Sequence, residues 1–426
     1  GELAAPTVTT SEEKNVTAYT MLHTWMPVEN ADYYEILFDS MTYSTIRDTE
    51  LLFEDLQPET SYQFQLRAVN KDGHSDWTAF CFTTKSDPLQ FAIRGITGTT
   101  SIRNQGGSLR RLFDFEEGEL WHTSYDASSV PFDLVADLHA ICQLDKFQYV
   151  PRENAGNGTL LKGTVSYSMD KQNWTEAGAF EWNRDAGVKV FTFSGQPTAR
   201  YVRLHVTESV GNFGSGRELY IFKVPDTESY LPGDINHDRL LDENDLTSYT
   251  NYTGLRQGDA DFEGYISNGD LNRNGLIDAY DISVVATALD GGIAPQRPDT
   301  LQGTVTLSTV KKPYQVGETI DIVVRGQGLN GVNALSFALP YDATAYEFAG
   351  IEAGAVSGMR NLTNDRLHTS GVKALYPTFV NIGDRETLKG DAVLFTIHLK
   401  AKKNVRFDLK AQDGMLVSKQ LEYVGF

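Results

Sequence analysis

Asp234-Ile-Asn-His-Asp-Arg-Leu-Leu-Asp-Glu-Asn-Asp245 is followed 36 residues on (270 minus 234) by Asp270-Leu-Asn-Arg-Asn-Gly-Leu-Ile-Asp-Ala-Tyr-Asp281. Each twelve-residue stretch carries an oxygen-bearing side chain at its first, third, fifth, ninth and twelfth positions. Ca²⁺ takes about six to eight oxygens, and a loop supplies them by wrapping around the ion with this spacing. The expected ligands are Asp234, Asn236, Asp238, Asp242 and Asp245, then Asp270, Asn272, Asn274, Asp278 and Asp281. The seventh residues, Leu240 and Leu276, would give their carbonyl oxygens. The eighth residues, Leu241 and Ile277, are apolar, as expected where two paired loops meet over a small core. Two Asp/Asn-rich turns on an acidic surface are the competing explanation, and two copies in register weigh against it.

Both loops close on Asp rather than Glu, and no long helix precedes either. Each is followed by a stretch with helical potential, 246–252 and 282–289. That arrangement resembles a type I dockerin, a calcium-folded module that docks on a cohesin, over roughly 231–291. The resemblance implies two bound Ca²⁺ ions. Position six of the first loop is Arg239, where the sharp turn favours glycine, so that loop is predicted to be strained beside the second with its Gly275. The tenth and eleventh positions, which read the partner in dockerins, are Glu243 and Asn244 in one half and Ala279 and Tyr280 in the other. They do not match, which argues against a symmetric dual binding mode.

Working outward, the 426-residue chain is too long for one core and implies three or four domains. Its net charge of −20 disfavours nucleic acid and anionic membranes as partners. No apolar run approaches the roughly 18 residues needed to span a bilayer. Gly1-Glu-Leu-Ala-Ala-Pro reads as a processed start. The two cysteines, Cys81 and Cys142, fall in different modules and are expected as buried free thiols rather than a disulfide.

Period-2 alternation dominates elsewhere, as in Tyr34-Glu-Ile-Leu-Phe38 and Tyr62-Gln-Phe-Gln-Leu-Arg-Ala-Val69. Leu56-Gln-Pro-Glu-Thr-Ser-Tyr62 carries a tyrosine-corner pattern. With Trp25 early and Trp77 late, residues 1–86 resemble a fibronectin type III domain, which implies a spacer with Trp25 and Tyr62 in its core.

Residues 87–225 contain Leu112-Phe-Asp-Phe-Glu-Glu-Gly-Glu-Leu-Trp-His-Thr-Ser-Tyr125, Phe147-Gln-Tyr-Val-Pro-Arg152 and Ala199-Arg-Tyr-Val-Arg-Leu204. In this order they resemble a discoidin-like sandwich, the fold of F5/8 type C domains and family 32 carbohydrate-binding modules. The resemblance implies a sugar site at one end, made by His122, Tyr125, Arg152, Asn157 and Phe213. A sugar offers a C–H face to an aromatic ring, while its hydroxyls need fixed donors and acceptors. The family set suits an axial hydroxyl, so the expected ligand is galactose or N-acetylgalactosamine. The family also holds a structural Ca²⁺ on an acidic turn, here Asp114-Phe-Glu-Glu-Gly-Glu119, for which Glu116, Glu119 and Glu218 are candidate ligands.

Residues 226–294 form the dockerin-like module, and a Gly/Pro linker follows. Residues 301–426 return to strands, and Ala334-Leu-Ser-Phe-Ala-Leu-Pro-Tyr-Asp342 resembles the signature strand of a cohesin. The short tether predicts that the dockerin-like and cohesin-like modules pack against each other within the chain.

The expected fold class is mainly β, with three β-sandwich modules and a small α-helical calcium-binding module. No Gly-x-Ser-x-Gly elbow, His-Glu-x-x-His helix or Walker loop is present, and the acidic clusters are accounted for by calcium. The expected function is therefore the non-catalytic carbohydrate-binding and assembly region of a secreted or cell-surface glycoside-hydrolase-type protein. A catalytic domain upstream of Gly1 would complete it. The alternative is an adhesion or scaffold protein whose discoidin-like and dockerin-like modules bind other proteins.

Overall fold

The computed structural model describes residues 2–126 and 130–426. It is mainly β, and its α-helices of five or more residues all lie between Glu243 and Ala286. The chain divides into two compact units, Gly1–Phe91 and Ala92–Phe426.

In the first unit, strand Met21–Thr24 pairs with Glu50–Phe53, and a five-stranded sheet is built on Tyr33–Phe38 and Ser61–Asn70. The alternation of Ser61–Asn70 turns Phe64, Leu66 and Ala68 inward. Trp25 is buried, and the Tyr62 hydroxyl accepts the Gln57 amide at 2.8 Å, the corner expected from the sequence. Both cysteines are free, but Cys81 is exposed rather than buried. Strand Thr78–Thr83 alternates, and its inner positions are taken by Phe80 and Phe82.

The second unit begins with a sandwich organised by one long strand, Phe132–Val150. Its first half pairs with Thr198–Ser209 and its second half with Glu218–Lys223 and Lys189–Thr192. The register breaks between Asp137 and Cys142, where His139 adopts a φ of 52°. That break lets a single strand pass from one sheet to the other. Trp121, Phe132, Phe147, Leu204 and Ile221 fill the space between.

Helices Glu243–Tyr252, Gly264–Asn268 and Ala279–Ala286 follow. The last part of the chain is a second sandwich, with a four-stranded sheet and a seven-stranded sheet closing over Phe337, Phe379 and Phe395. The pieces of this unit share a core. One apolar cluster holds Ile141 from the first sandwich, Leu246, Ile277 and Val285 from the helical segment, and Val380, Met415 and Val417 from the second sandwich. Each such side chain contributes about 1.5–3 kcal/mol by leaving water, so the pieces cannot part without losing several of these terms. At the far end of the chain, the Tyr423 hydroxyl accepts from Asn173 Nδ2 at 2.7 Å and donates to Asp170 Oδ2 at 2.5 Å.

Candidate functional site

The five residues expected to hold a sugar come from three segments at one end of the first sandwich. His122 lies on strand Trp121–His122, which pairs with Ser215–Gly216 and so brings the 210–216 turn alongside it. Arg152 and Asn157 lie on the turn that leaves strand Phe132–Val150. Backbone bonds tie this turn to the others: the Gly158 amide donates to the Val210 carbonyl at 2.8 Å. The Asn157 carbonyl accepts from Ser215 Oγ at 2.8 Å and from Arg152 Nη1 at 2.9 Å.

Above this frame the rings of His122, Tyr125 and Phe213 form a triangle, with centroids 4.8, 5.5 and 4.9 Å apart. A Cβ on Gly211 would meet both Asn157 Oδ1 and the Phe213 ring at 3.0 Å, which places the Asn157 side chain beside that ring. Tyr125 is 61% exposed, whereas His122 is 4% exposed. An aromatic face is thus offered to solvent over a buried imidazole. His122 Nδ1 lies 2.6 Å from the Thr123 carbonyl, which can only accept, so Nδ1 carries the proton. Nε2 is left as an acceptor, buried and without a hydrogen-bond partner among the described residues. Such an atom costs free energy until a donor reaches it, and a ligand hydroxyl is a donor.

The two acidic loops are near-copies in their bonding. Asp234 Oδ1 and Oδ2 accept the amides of Asp238 and Arg239 at 3.2 and 2.8 Å. Asp270 Oδ1 and Oδ2 accept those of Asn274 and Gly275 at 3.3 and 2.8 Å. Asp245 and Asp281 each accept the amide of the ninth residue at 2.9 Å. The ninth residues, Asp242 and Asp278, cap the helices that follow, so the loop-closing aspartate is also the third residue of a capping box. Arg239 and Gly275 both take left-handed backbone, with φ of 67° and 84°, and the strain expected at Arg239 is present.

Leu241 and Ile277 lie in one apolar cluster, as expected, but the backbone of the second loop pairs elsewhere. Ile277 donates its amide to the Leu255 carbonyl and accepts from the Gly254 amide, and Arg256 forms a bridge with Leu276. The second loop is therefore strapped by the chain leaving the first helix, because that chain returns past it at once.

The donor set fits a hard cation. Asp234, Asp238 and Asp245 bring carboxylate oxygens within 4.8 Å of one another. Asp245 Oδ1 and Asn272 Oδ1 are buried with no hydrogen-bond partner among the described residues. Burial, reinforced by Asp234 and Asp238, pushes the Asp245 carboxyl up to about 6. Burial and the Asp270 charge push Asp278 up to about 6, and burial with Asp278 and Asp270 raises Asp281 well above the carboxylate range. A divalent charge in each loop would relieve all three.

The third acidic cluster is less complete. The Glu116 amide donates to Asp114 Oδ1 at 2.9 Å and to Glu218 Oε1 at 3.0 Å, so Glu116 meets Glu218 through its backbone. The Glu119 carboxylate is paired with Arg111 at 3.2 Å and is mostly exposed. Glu218 is fully buried, and its Oε2 has no partner among the described residues. Burial, then the adjacent Asp114 carboxyl, push Glu218 up to about 9. Glu218 is thus the buried carboxylate here, with the exposed Asp114 beside it, and Asp114 is a candidate ligand beyond the three expected.

The helical segment lies against one face of the second sandwich. The carbonyls that end helix Glu243–Tyr252 receive side-chain donors from strand Asn364–Leu367: Asn364 Nδ2 reaches Thr250 at 3.0 Å, and Arg366 Nη2 reaches Asn251 at 2.6 Å. A cation at a helix C-terminus satisfies both the unpaired carbonyls and the dipole. Glu243 pairs with Arg360, and the Ala279 amide donates to Ser336 Oγ at 3.1 Å. Tyr280 is buried with its ring 5.1 Å from that of Tyr423. Glu243, Ala279 and Tyr280 are therefore engaged within the chain.

Residues 4–84 match the fibronectin type III domain family, 95–219 the F5/8 type C domain family and 303–422 the cohesin domain family. Residues 95–219 contain the ring triangle together with Arg152 and Asn157. All three are families of non-catalytic modules. Among solved structures, the chain is similar to the module CpGH89CBM32-5 from Clostridium perfringens, in complex with GalNAc-β-1,3-galactose. The identity is 27%, over 31% of this chain and 99% of that one, with a TM-score of 0.29. It is also similar to the family 32 carbohydrate-binding module of C. perfringens NanJ in complex with galactose, at 21% identity over 31% and 98% of the two chains and a TM-score of 0.29. A third is CBM32-1 from a family 31 glycoside hydrolase of C. perfringens, at 20% identity over 32% and 100%, with a TM-score of 0.30. Among the described residues no helix is long and apolar enough to cross a membrane.

Proposed function

We propose that this chain is a carbohydrate-binding and assembly region of a secreted or cell-surface glycoside-hydrolase-type protein. Residues 87–225 hold a galactose-type glycan, and residues 1–86 act as the spacer. The observation that carries this reading is the triangle of His122, Tyr125 and Phe213, with Arg152 and Asn157 beside it, inside a stretch that matches the F5/8 type C family. Tyr125 and Phe213 pack on the C–H face of the sugar, and Arg152 donates to a hydroxyl. The bare His122 Nε2 accepts from a second hydroxyl. An axial hydroxyl projects from the ring face, and a site that combines a flat aromatic with convergent polar groups at its edge favours galactose or N-acetylgalactosamine over glucose.

Ca²⁺ belongs to the same proposal. Asp234, Asn236, Asp238, Asp242 and Asp245, and Asp270, Asn272, Asn274, Asp278 and Asp281, would hold two ions with the carbonyls of Leu240 and Leu276. Asp114 and Glu218 would contribute to a third. The ions supply charge compensation that lets buried carboxylates stay ionised. The 226–294 segment is the dockerin-like partner of the 301–426 cohesin-like sandwich, docked within one chain.

Isothermal titration of the full chain with galactose, N-acetylgalactosamine and glucose tests the sugar site. Binding of the first two, lost in His122→Ala and in Arg152→Ala, is the expected result. Equal binding by wild type and both variants would reject the assigned residues.

A further inference from the structure

Four residues at the junction of the 226–294 segment and the 301–426 sandwich form one chain of hydrogen bonds. Arg256 Nε donates to the Tyr376 hydroxyl at 3.0 Å. That hydroxyl is bonded to His368 Nε2, and His368 Nδ1 lies 2.7 Å from Asp259 Oδ2. Asp259 also accepts the amides of Arg256 at 2.9 Å and Thr369 at 3.1 Å.

A carboxylate receiving N–H donors on both oxygens is an acceptor only, so His368 Nδ1 carries a proton. With a single proton on the ring, Nε2 is bare and the Tyr376 hydroxyl donates to it while its oxygen receives Arg256. The relay runs from guanidinium through phenol and imidazole to carboxylate. Its two ends belong to the helical segment and its two inner links to the sandwich. His368 and Tyr376 are 5% and 3% exposed, and the His368 and Asp259 side chains 4% and 8%. The Tyr376 ring also lies over Gly254, where an added Cβ would sit 2.2 Å from it.

We infer that this relay selects the occupant of the sandwich face and reserves it for the chain's own segment. An incoming segment without an Arg and an Asp at these places would leave the bond between Tyr376 and His368 but strip each of its outer partner, with His368 Nδ1–H buried and unsatisfied, which disfavours that segment. The inference rests on the proposed docking of the two pieces within the chain, and it does not require that the loops hold calcium.

The test uses the full chain with a protease site inserted at 297–300, a stretch that is exposed. After cleavage the wild-type halves should stay together in gel filtration. Tyr376→Phe and Asp259→Asn should each raise the dissociation constant of the halves roughly 10- to 100-fold. Histidine ¹⁵N spectra of the uncut chain should show His368 as the Nδ1–H tautomer, its signal identified by loss in His368→Gln. In Asp259→Asn that signal should move toward the Nε2–H form. An unchanged affinity in Tyr376→Phe with an unchanged tautomer in Asp259→Asn, or a His368 protonated on both nitrogens, would overturn the relay. Halves that part in chelator but not in Tyr376→Phe would assign the docking to calcium instead. Wild-type halves that separate under all conditions would overturn docking within the chain itself.

Discussion

His23 sits uncharged among Phe53, Phe64, Phe80 and Phe82, fully buried, with neither ring nitrogen bonded among the described residues. Burial lowers its pKa to about 4. The folded state therefore binds the proton less readily than the unfolded chain, whose histidine titrates near about 6.5. Stability from this residue is complete above that value and declines as pH falls through it, levelling off below about 4. A shift of this size corresponds to about 3 kcal/mol for the first unit. Urea unfolding at about pH 7 and about pH 4.5 should show that loss in wild type, and His23→Leu should flatten it. The alternation of strand Met21–Thr24 points His23 inward, but only the assembled rings show that nothing polar meets it. Tyr125, Phe213 and Arg152 were expected only through the resemblance to family 32 carbohydrate-binding modules. The bare Nε2 of His122 was not, because it depends on which carbonyl faces Nδ1. Tyr125→Ala should weaken galactose binding about tenfold through lost stacking, without changing the melting temperature.

Both acidic loops could be read from the spacing of their oxygens, and both capping helices from the residues that follow. What the spacing could not show was the partner of the second loop, because the strap at 254–256 is a backbone contact with no side-chain signature. Gly254 has a φ of 84° and lies under Tyr376, so Gly254→Ala should cost more than about 2 kcal/mol in thermal unfolding of the second unit. A calcium-dependent cost tests calcium in the loops. Without a cation, Asp281 is buried beside Asp278 and Asp270, so removing its charge relieves repulsion and offsets part of the loss of one of the two amide bonds its oxygens accept. Asp281→Asn should therefore cost less in chelator than in millimolar calcium. In wild type, calcium at about 100 times its dissociation constant should add about 2.7 kcal/mol. A calcium-independent melting curve, with Asp281→Asn equally costly in both buffers, would remove the cation from this account.

Across the whole molecule, the strand-rich character followed from periodicity, because strands with one buried face alternate, while the division into modules came from the family resemblances. The shared core at Ile141, Val285 and Val417 did not show in the sequence: each residue looks like ordinary module interior until neighbours bury it. Tyr423 likewise reads as a terminal strand residue, yet it meets Asp170 and Asn173 some 250 positions away. Tyr423→Ala should lower the unfolding midpoint of the second unit while leaving galactose affinity unchanged, since the contact lies outside the ring triangle. The central claim is that this chain holds a glycan at the His122 end, and a glycan array probed with the full chain in millimolar calcium tests it most directly. Wild type should bind terminal galactose or N-acetylgalactosamine, and Arg152→Ala should not. A wild-type chain that binds no glycan, or an Arg152→Ala chain with an unchanged profile, would contradict it.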